Sequence, residues 1–240
     1  MRALITGAGS GIGEALVARM AAAGDEVIAV GRRAEPLLAL AKAHGDRVSA
    51  FPLDVADEAA VTAKLSDGPA VDALILNAGI CRTANVDDPE SAAIWREVMA
   101  INLDGPFHVI RAVLPRMASG GRIVAVSSGL GKLGRDGKAA YAASKHGLLG
   151  LVKCLAHELA PRGITVNAVC PGWVDTPMAE RDLVETGDPV AARAAAEAAI
   201  PIGRFVQPGE VAALIAWLCS KEAAAVTGQA YNISGGEFFA

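Results

Sequence analysis

The segment Tyr141-Ala-Ala-Ser-Lys145 places a phenol and an ammonium group four residues apart in a stretch of helical character. Residues at this spacing share one helix face, so the two groups point the same way. A phenol titrates at about pH 10, and a nearby ammonium lowers that pKa by stabilising the phenolate. The pair can therefore act as an acid/base couple, although the same pair alone is also typical of a solvated helix face.

Ser128 lies thirteen residues before Tyr141 and directly after a predicted strand over 122–126. The carboxyl edge of a parallel sheet is where ligands bind in open α/β folds. A hydroxyl at that edge can hold a substrate oxygen in place for Tyr141. Ser127 is the adjacent alternative, and both serines could instead only shape the turn.

The first apolar strand runs into a glycine-rich turn with the sequence Thr6-Gly7-Ala8-Gly9-Ser10-Gly11-Ile12-Gly13, and a helical pattern follows. Glycine allows positive φ and a close approach to the backbone. The helix N-terminus adds unpaired N–H groups and a partial positive charge, which suit a pyrophosphate. The spacing differs from Gly-x-Gly-x-x-Gly, and a turn without a ligand is the plain alternative. Its place at the first β-to-α turn favours a dinucleotide.

The second predicted strand ends in Val30-Gly31-Arg32-Arg33, where an NAD site would have an acid for the ribose hydroxyls. The acid is missing. A guanidinium fork matches a phosphate well, so the two arginines indicate a 2′-phosphate and favour NADP(H) over NAD(H). A solvated surface pair is the alternative.

Short β-branched runs alternate with Ala- and Leu-rich helical segments along the whole chain. Strands are predicted at 4–6, 27–30, 48–51, 71–76, 122–126, 164–169 and 229–233, and helices at 11–23, 35–44, 57–65, 89–117, 139–160 and 209–219. This alternation predicts an α/β fold, a doubly wound (Rossmann) seven-stranded parallel sheet with helices on both faces. No linker divides the chain, so residues 1–240 are expected to form a single domain.

The stretch 171–204 is too long for an ordinary connection and is predicted to be an irregular lid or substrate loop. Within it, the Ala-rich residues 190–199 are predicted to form a helix. This helix could belong to the lid or, equally, to an interface. Leu133, Trp173 and Met178 could form an apolar pocket wall or simply pack in loops. The cluster of Lys132, Arg135 and Lys138 could meet an acidic carrier protein or a phosphate, but a solvated basic loop is the more ordinary interpretation.

Composition excludes several classes of protein. The 240 residues carry a net charge of −4 and are 52% hydrophobic, which argues against nucleic-acid binding and disorder. No apolar run is long enough for a membrane span, and the N-terminus leaves no room for a signal peptide, which predicts a cytoplasmic protein. The four cysteines contain no Cys-x-x-Cys pair and the four histidines show no ligand spacing, so no metal site is expected.

In this order and spacing the motifs resemble the short-chain dehydrogenase/reductase superfamily, in its single-domain branch. The resemblance covers essentially the whole chain. The matching pieces are Thr6-Gly7-x-x-x-Gly11-x-Gly13, Asp54-Val55, Asn77-Ala78-Gly79, Asn102, Ser128, Tyr141-x-x-x-Lys145 and Pro171-Gly172. One departure is Leu76, where the family often has a second asparagine.

The resemblance implies a catalytic tetrad. Tyr141 would exchange the proton, Ser128 would position the carbonyl, and Lys145 would lower the tyrosine pKa and hold the nicotinamide ribose. Asn102 would hold a water in the proton relay. Pro106, four residues after Asn102, has no N–H, so the Asn102 carbonyl would lack a helical partner and be free for that water.

The resemblance also implies the cofactor contacts. The pyrophosphate would lie on the glycine turn, Asp54 would accept from the adenine amino group beside Val55, and Pro171-Gly172 with Val174 and Thr176 would contact the carboxamide and diphosphate. The predicted cofactor-binding residues are Gly7, Ser10, Gly11, Ile12, Gly13, Arg32, Arg33, Asp54, Val55, Asn77, Ala78, Gly79, Tyr141, Lys145, Pro171, Gly172, Val174 and Thr176.

The segments 144–147, 166–172, 176–178 and 201–204 resemble most the β-ketoacyl and aromatic-polyketide ketoreductase branch. An NADP(H)-dependent reductase of a ketone is therefore expected, acting on a small ketone or alcohol or on a carrier-bound ketoacyl group. The alternatives are an NAD-dependent secondary alcohol dehydrogenase of the same family and a non-catalytic dinucleotide-binding regulator. The family further implies a homotetramer.

Overall fold

A computed structural model describes residues 1–239, and its centre is one parallel sheet of seven strands in the order β3-β2-β1-β4-β5-β6-β7. The strands are β1 (Arg2–Thr6), β2 (Glu26–Gly31), β3 (Val48–Pro52), β4 (Ala73–Leu76), β5 (Arg122–Val126), β6 (Thr165–Pro171) and β7 (Ala230–Ile233). The predicted doubly wound sheet is therefore confirmed.

Helices cover both faces of this sheet. They are α1 (Gly11–Ala22), α2 (Ala34–His44), α3 (Glu58–Leu65), α4 (Ser91–Met99), α5 (Gly105–Val113), α6 (Ala139–Leu159), α7 (Pro177–Val184), α8 (Pro189–Ala199) and α9 (Pro208–Leu218). Alternate strand residues feed two separate apolar clusters: Leu4 packs with the α5 and α6 side, and Ile5 packs with the α1 and α9 side. Within residues 1–239, no helix combines the length and apolar character that crossing a bilayer requires.

The direction in which strands are added reverses between β1 and β4. The chain builds β1, β2 and β3 outward to one side and then returns to place β4 beside β1. Ligands of open α/β sheets bind outside the carboxyl ends of the strands at such a switch point. The turns after Thr6 and Leu76 therefore meet where a ligand is expected.

The predicted long helix over 89–117 is wrong in one respect, because it is interrupted. Between α4 and α5 the backbone forms a π-helical turn, Ala100–Asp104, in which the Gly105 N–H donates to the Ala100 carbonyl. Pro106 supplies no N–H to close a regular turn at this point. Wide turns of this kind are frequent at functional sites.

The segment 171–204 is more regular than predicted, because it holds helices α7 and α8. Each begins with the same local device: the side chain of Thr176 or Asp188 caps the helix and a proline occupies its first position. Both Thr-Pro and Asp-Pro are visible in the sequence, and α8 covers the helix predicted at 190–199.

Candidate active site

Helix α6 carries Tyr141 and Lys145 into one cavity at the carboxyl edge of the sheet. The Lys145 Nζ lies 5.7 Å from the centre of the Tyr141 ring and donates a hydrogen bond to the Val126 carbonyl at 2.8 Å. Only 4% of Lys145 is exposed. Burial disfavours the charged ammonium and lowers the pKa of Lys145 to about 8.

The Tyr141 phenol is harder to ionise than an ordinary tyrosine. Burial raises its pKa above 10, the neighbouring Cys81 adds to this, and a hydrogen bond with the Ser128 side chain opposes it. The raised pKa has no contribution from Lys145 among its causes, so the expectation that Lys145 lowers the tyrosine pKa stays a prediction. Tyr141 is therefore a protonated phenol at neutral pH, the form that donates a proton.

The two candidate serines have different hydrogen-bond partners. Ser127 is buried and its hydroxyl donates to the Lys145 carbonyl at 3.2 Å, so it fastens the end of β5 to helix α6. The Ser128 Oγ accepts from the Leu130 N–H at 3.1 Å and reaches the Tyr141 phenol. Ser128 therefore has the geometry predicted for the serine that positions a carbonyl.

Asn102 is completely buried behind the cavity, in the π-helical turn. Its amide exchanges two hydrogen bonds with the backbone of Ile80, each 2.9 Å long, and donates a third to the Ser144 hydroxyl at 3.1 Å. It thus ties the segment after β4 to the residue next to Lys145. The role of the Asn102 carbonyl in holding a water stays a prediction.

The Thr6 side chain joins the glycine turn to the end of β4. Its Oγ1 accepts from the N–H groups of Asn77 and Ala78, at 3.0 and 3.1 Å. The Asn77 amide donates in return to the carbonyls of Thr6 and Gly7, at 3.1 and 3.0 Å. The Asn77 side chain is therefore bonded to the turn itself, and it shapes the site as well as lining the cavity.

The glycine turn is packed so closely that side chains are excluded from it. Gly7 has φ +66°, and a Cβ built on it would lie 2.8 Å from the Ala78 Cα. A Cβ on Gly13 would collide with the Gly7 carbonyl oxygen. Ser10, the residue before α1, makes no side-chain cap, so the first N–H groups of the helix are left for another acceptor. These features fit a dinucleotide pyrophosphate.

The other contacts predicted for the nucleotide lie along the same edge. Arg32 follows β2 and its guanidinium lies 3.9 Å from the Asp54 carboxylate, with both side chains largely exposed. The Asp54 Oδ1 accepts from the Ala56 N–H at 3.0 Å, which fixes the carboxylate after β3. Arg33 is the residue before α2, and Val55 is buried. Two exposed cations therefore stand where the 2′-phosphate is expected.

The cavity has a volume of about 220 Å³. Ten of the predicted residues line it, namely Ile12, Asn77, Gly79, Ser128, Tyr141, Lys145, Pro171, Gly172, Val174 and Thr176. The remaining predicted residues, including the arginines, do not line it. Gly11 of the glycine turn lies close to the cavity, because a Cβ on it would lie 3.0 Å from the methyl group of Thr176, which is a lining residue.

Leu133, Trp173 and Met178 all line the cavity, so the prediction of an apolar wall is confirmed. Trp173 is the centre of a layered stack. Its ring stacks on Phe205 at 5.3 Å between the ring centres. The Arg135 guanidinium lies over the Trp173 ring at 5.4 Å, and the Arg193 guanidinium lies over the Phe205 ring at 4.6 Å. This stack fixes the wall between α8 and the loop before α6.

The basic cluster is neither a solvated loop nor a free docking patch. Lys138 is buried, forms an ion pair with Asp182 of α7 at 3.2 Å and donates to the Thr83 hydroxyl. The Lys132 Nζ donates to Ala230 and Asn232 of β7. All three cations are engaged within the chain, since Arg135 faces Glu237.

Several lining residues were not predicted as site residues, among them Cys81, Asp182, Glu237 and Phe238. The last two lie shortly after β7, separated from it by Ser234, Gly235 and Gly236, and the residues that follow a strand of a parallel sheet begin at its carboxyl edge. That signal could have placed them at the site.

Comparison with known proteins agrees with this geometry. Residues 7–237 match a family model described as enoyl-(acyl carrier protein) reductase. The chain is 42% identical to a protein of Streptomyces virginiae named as a ketoacyl reductase of the monensin polyketide synthase, over 98% of this chain and 95% of that one. It is also 42% identical to the 3-oxoacyl-[acyl-carrier-protein] reductase of Thermotoga maritima, over 97% and 96%. A crystal structure of a variant of actinorhodin polyketide ketoreductase with NADPH is 40% identical, with a TM-score of 0.90 and coverage of 98% and 96%.

Proposed function

Because the chain belongs to the short-chain dehydrogenase/reductase family, we propose that it is an NADP(H)-dependent ketoreductase that reduces β-ketoacyl thioesters. The observation that carries the proposal is the contact of Ser128 with Tyr141 beside a buried Lys145, in a cavity that Ile12 of the glycine turn also lines. The thioester is proposed because the similar proteins are named for ketoacyl substrates.

The bound cofactor supplies the hydride for the carbonyl carbon, and this chain supplies orientation and the proton. Ser128 donates a hydrogen bond to the carbonyl oxygen and holds it beside Tyr141. The Tyr141 phenol gives its proton to that oxygen as negative charge develops. Lys145 provides a buried positive charge that stabilises the phenolate left behind. The raised pKa of Tyr141 keeps it protonated until this step.

The two helices of 171–204 are proposed to act as the substrate lid of a single domain that spans residues 1–240. Supporting this, α7 contributes Met178, Ala179 and Asp182 to the cavity. The homotetramer stays a prediction from the family resemblance, and the cytoplasmic location stays a prediction from the sequence. Light scattering of the purified protein tests the first.

The proposed function is tested by the oxidation of NADPH and NADH over a ketone panel that includes the acetoacetyl thioester of N-acetylcysteamine, β-ketoesters, bicyclic ketones and aryl ketones. We expect NADPH to support faster turnover, with the thioester among the best substrates. A preference for NADH together with oxidation of secondary alcohols would instead establish the alcohol dehydrogenase alternative.

Replacing both Arg32 and Arg33 by Ala is expected to lower kcat/KM for NADPH by about 10-fold or more, because charge-assisted bonds to a phosphate are lost. The value for NADH should change little, since NADH has no 2′-phosphate. Arg19→Ala, which removes an exposed arginine of α1, is the matched control. An unchanged ratio of NADPH to NADH in the double variant would show that these arginines do not select the cofactor.

A further inference from the structure

The carboxylate of Glu237 is an unusual group in the cavity wall. Its Oε2 is buried and has no hydrogen-bond partner among the described residues, although Glu237 lines the cavity. Buried polar atoms are nearly always hydrogen-bonded, because leaving one unpaired costs free energy. The carboxylate at the cavity wall therefore keeps an acceptor capacity that the described residues do not use.

The other carboxylate oxygen, Oε1, makes one long contact. The Glu237 Oε1 lies 3.5 Å from the Arg135 guanidinium, which is also held over the Trp173 ring. This distance is at the outer limit of a hydrogen bond. Arg135 thus contacts only Oε1 and leaves Oε2 without a hydrogen bond.

Two glycines fix the segment that carries this carboxylate. Glu237 Oε2 lies against Gly172, where a Cβ would collide with it, and a Cβ on Gly129 would collide with the ring of Phe238. Gly172 is the first residue after β6, and Gly129 follows Ser128. The backbone at Gly172 therefore packs against the carboxylate, and the backbone at Gly129 packs against the neighbouring Phe238 ring.

We propose that Glu237 is a specificity-determining residue, whose carboxylate accepts a hydrogen bond from an O–H or N–H group of the substrate. The inference rests on the proposed function, since it concerns the ketone that enters this cavity. A site with a buried polar group discriminates strongly against an analogue that cannot pair with it. The preferred ketones are those with a hydroxyl or amide donor near the carbonyl.

The donor could belong to the acyl chain or to the arm of a thioester, and two substrate pairs tell these sources apart. The first pair is 4-hydroxy-2-butanone and 4-methoxy-2-butanone, which differ in one O–H. The second is the acetoacetyl thioester of N-acetylcysteamine and that of ethanethiol, which differ in the amide. Each pair is measured with the wild type, Glu237→Gln, Glu237→Met and the exposed control Glu222→Met.

We expect the wild type to prefer the donor-bearing member of one pair by about 10-fold or more in kcat/KM. Glu237→Met removes the acceptor and should abolish that preference by slowing only the donor-bearing ketone. Glu237→Gln keeps a carbonyl acceptor and should retain part of it. Glu222→Met should behave as the wild type.

Equal rates within both pairs for the wild type, with the methoxy ketone still reduced, would overturn the inference and leave the proposed function intact. The same conclusion follows if Glu237→Met weakens NADPH binding, measured by cofactor fluorescence, without changing either substrate ratio, because the donor would then be the cofactor carboxamide. No turnover of any ketone by any variant would refute both proposals.

Discussion

Tyr141→Phe is expected to lower kcat/KM for ketone reduction by about 10²- to 10⁴-fold, the usual contribution of a positioned proton donor. The phenylalanine ring fills the same space but has no proton for the carbonyl oxygen. NADPH binding, followed by cofactor fluorescence, should be unchanged, because the glycine turn and the arginines are untouched.

The chain offers a matched control for this substitution, since it contains only two tyrosines. Tyr231 lies on β7, edge-on to Trp217, and Tyr231→Phe should keep full activity. If Tyr141→Phe retained more than a tenth of the activity, the proton would have to come from another group. A non-catalytic regulator would lose nothing of its function with either variant.

Lys145→Met is expected to lower kcat/KM by about 10²-fold or more, because the buried charge that stabilises the Tyr141 phenolate is lost. The same substitution should also change how stability depends on pH. Lys145 has a pKa of about 8 in the folded chain, below the ordinary value of 10.5, so the unfolded chain binds more protons between these values. The free energy of unfolding of the wild type therefore gains a contribution from Lys145 as pH rises through this window.

The measurement is the melting temperature of the wild type and of Lys145→Met at two pH values. One is pH 7, below both pKa values of Lys145, and the other is about pH 9.5, between the folded and the ordinary value. At pH 7 the wild type bears the full cost of burying an ammonium, which methionine avoids. The variant should therefore be most favoured relative to the wild type at pH 7, and this advantage should shrink at the higher pH. Lys153→Met, at an exposed position of the same helix, should show no such trend. A pH-independent difference for Lys145→Met would mean that Lys145 is not buried as a cation.

Much of the fold could be predicted because strands buried on both faces read as apolar runs. The strand predicted at 122–126 coincides with Arg122–Val126, and the order of strands and helices is correct outside 89–117 and 171–204. The predicted elements are wrong where local hydrogen bonds determine the backbone structure. The interruption at Ala100–Asp104 depends on the N–H that Pro106 lacks, and the helices within 171–204 depend on caps at Thr176 and Asp188.

The site could be predicted in part. Spacing alone brings Tyr141 and Lys145 onto one face, and the topology brings Ser128 to them. Sequence gives no measure of desolvation, however, so it could not predict that burial raises the pKa of Tyr141. Nor could it predict contacts between distant segments, such as the ion pair of Lys138 with Asp182 or the seat of Glu237 against Gly172.

The stack around Trp173 gives the protein a built-in optical reporter. Of its three tryptophans, Trp173 lines the cavity, whereas Trp95 and Trp217 are 45% and 38% exposed and lie elsewhere. Indole emission depends on the polarity and the charges around the ring, and Trp173 both lines the cavity and has a guanidinium over its ring. A ligand that enters the cavity therefore changes the surroundings of this indole, and occupancy can be followed by light without an added label.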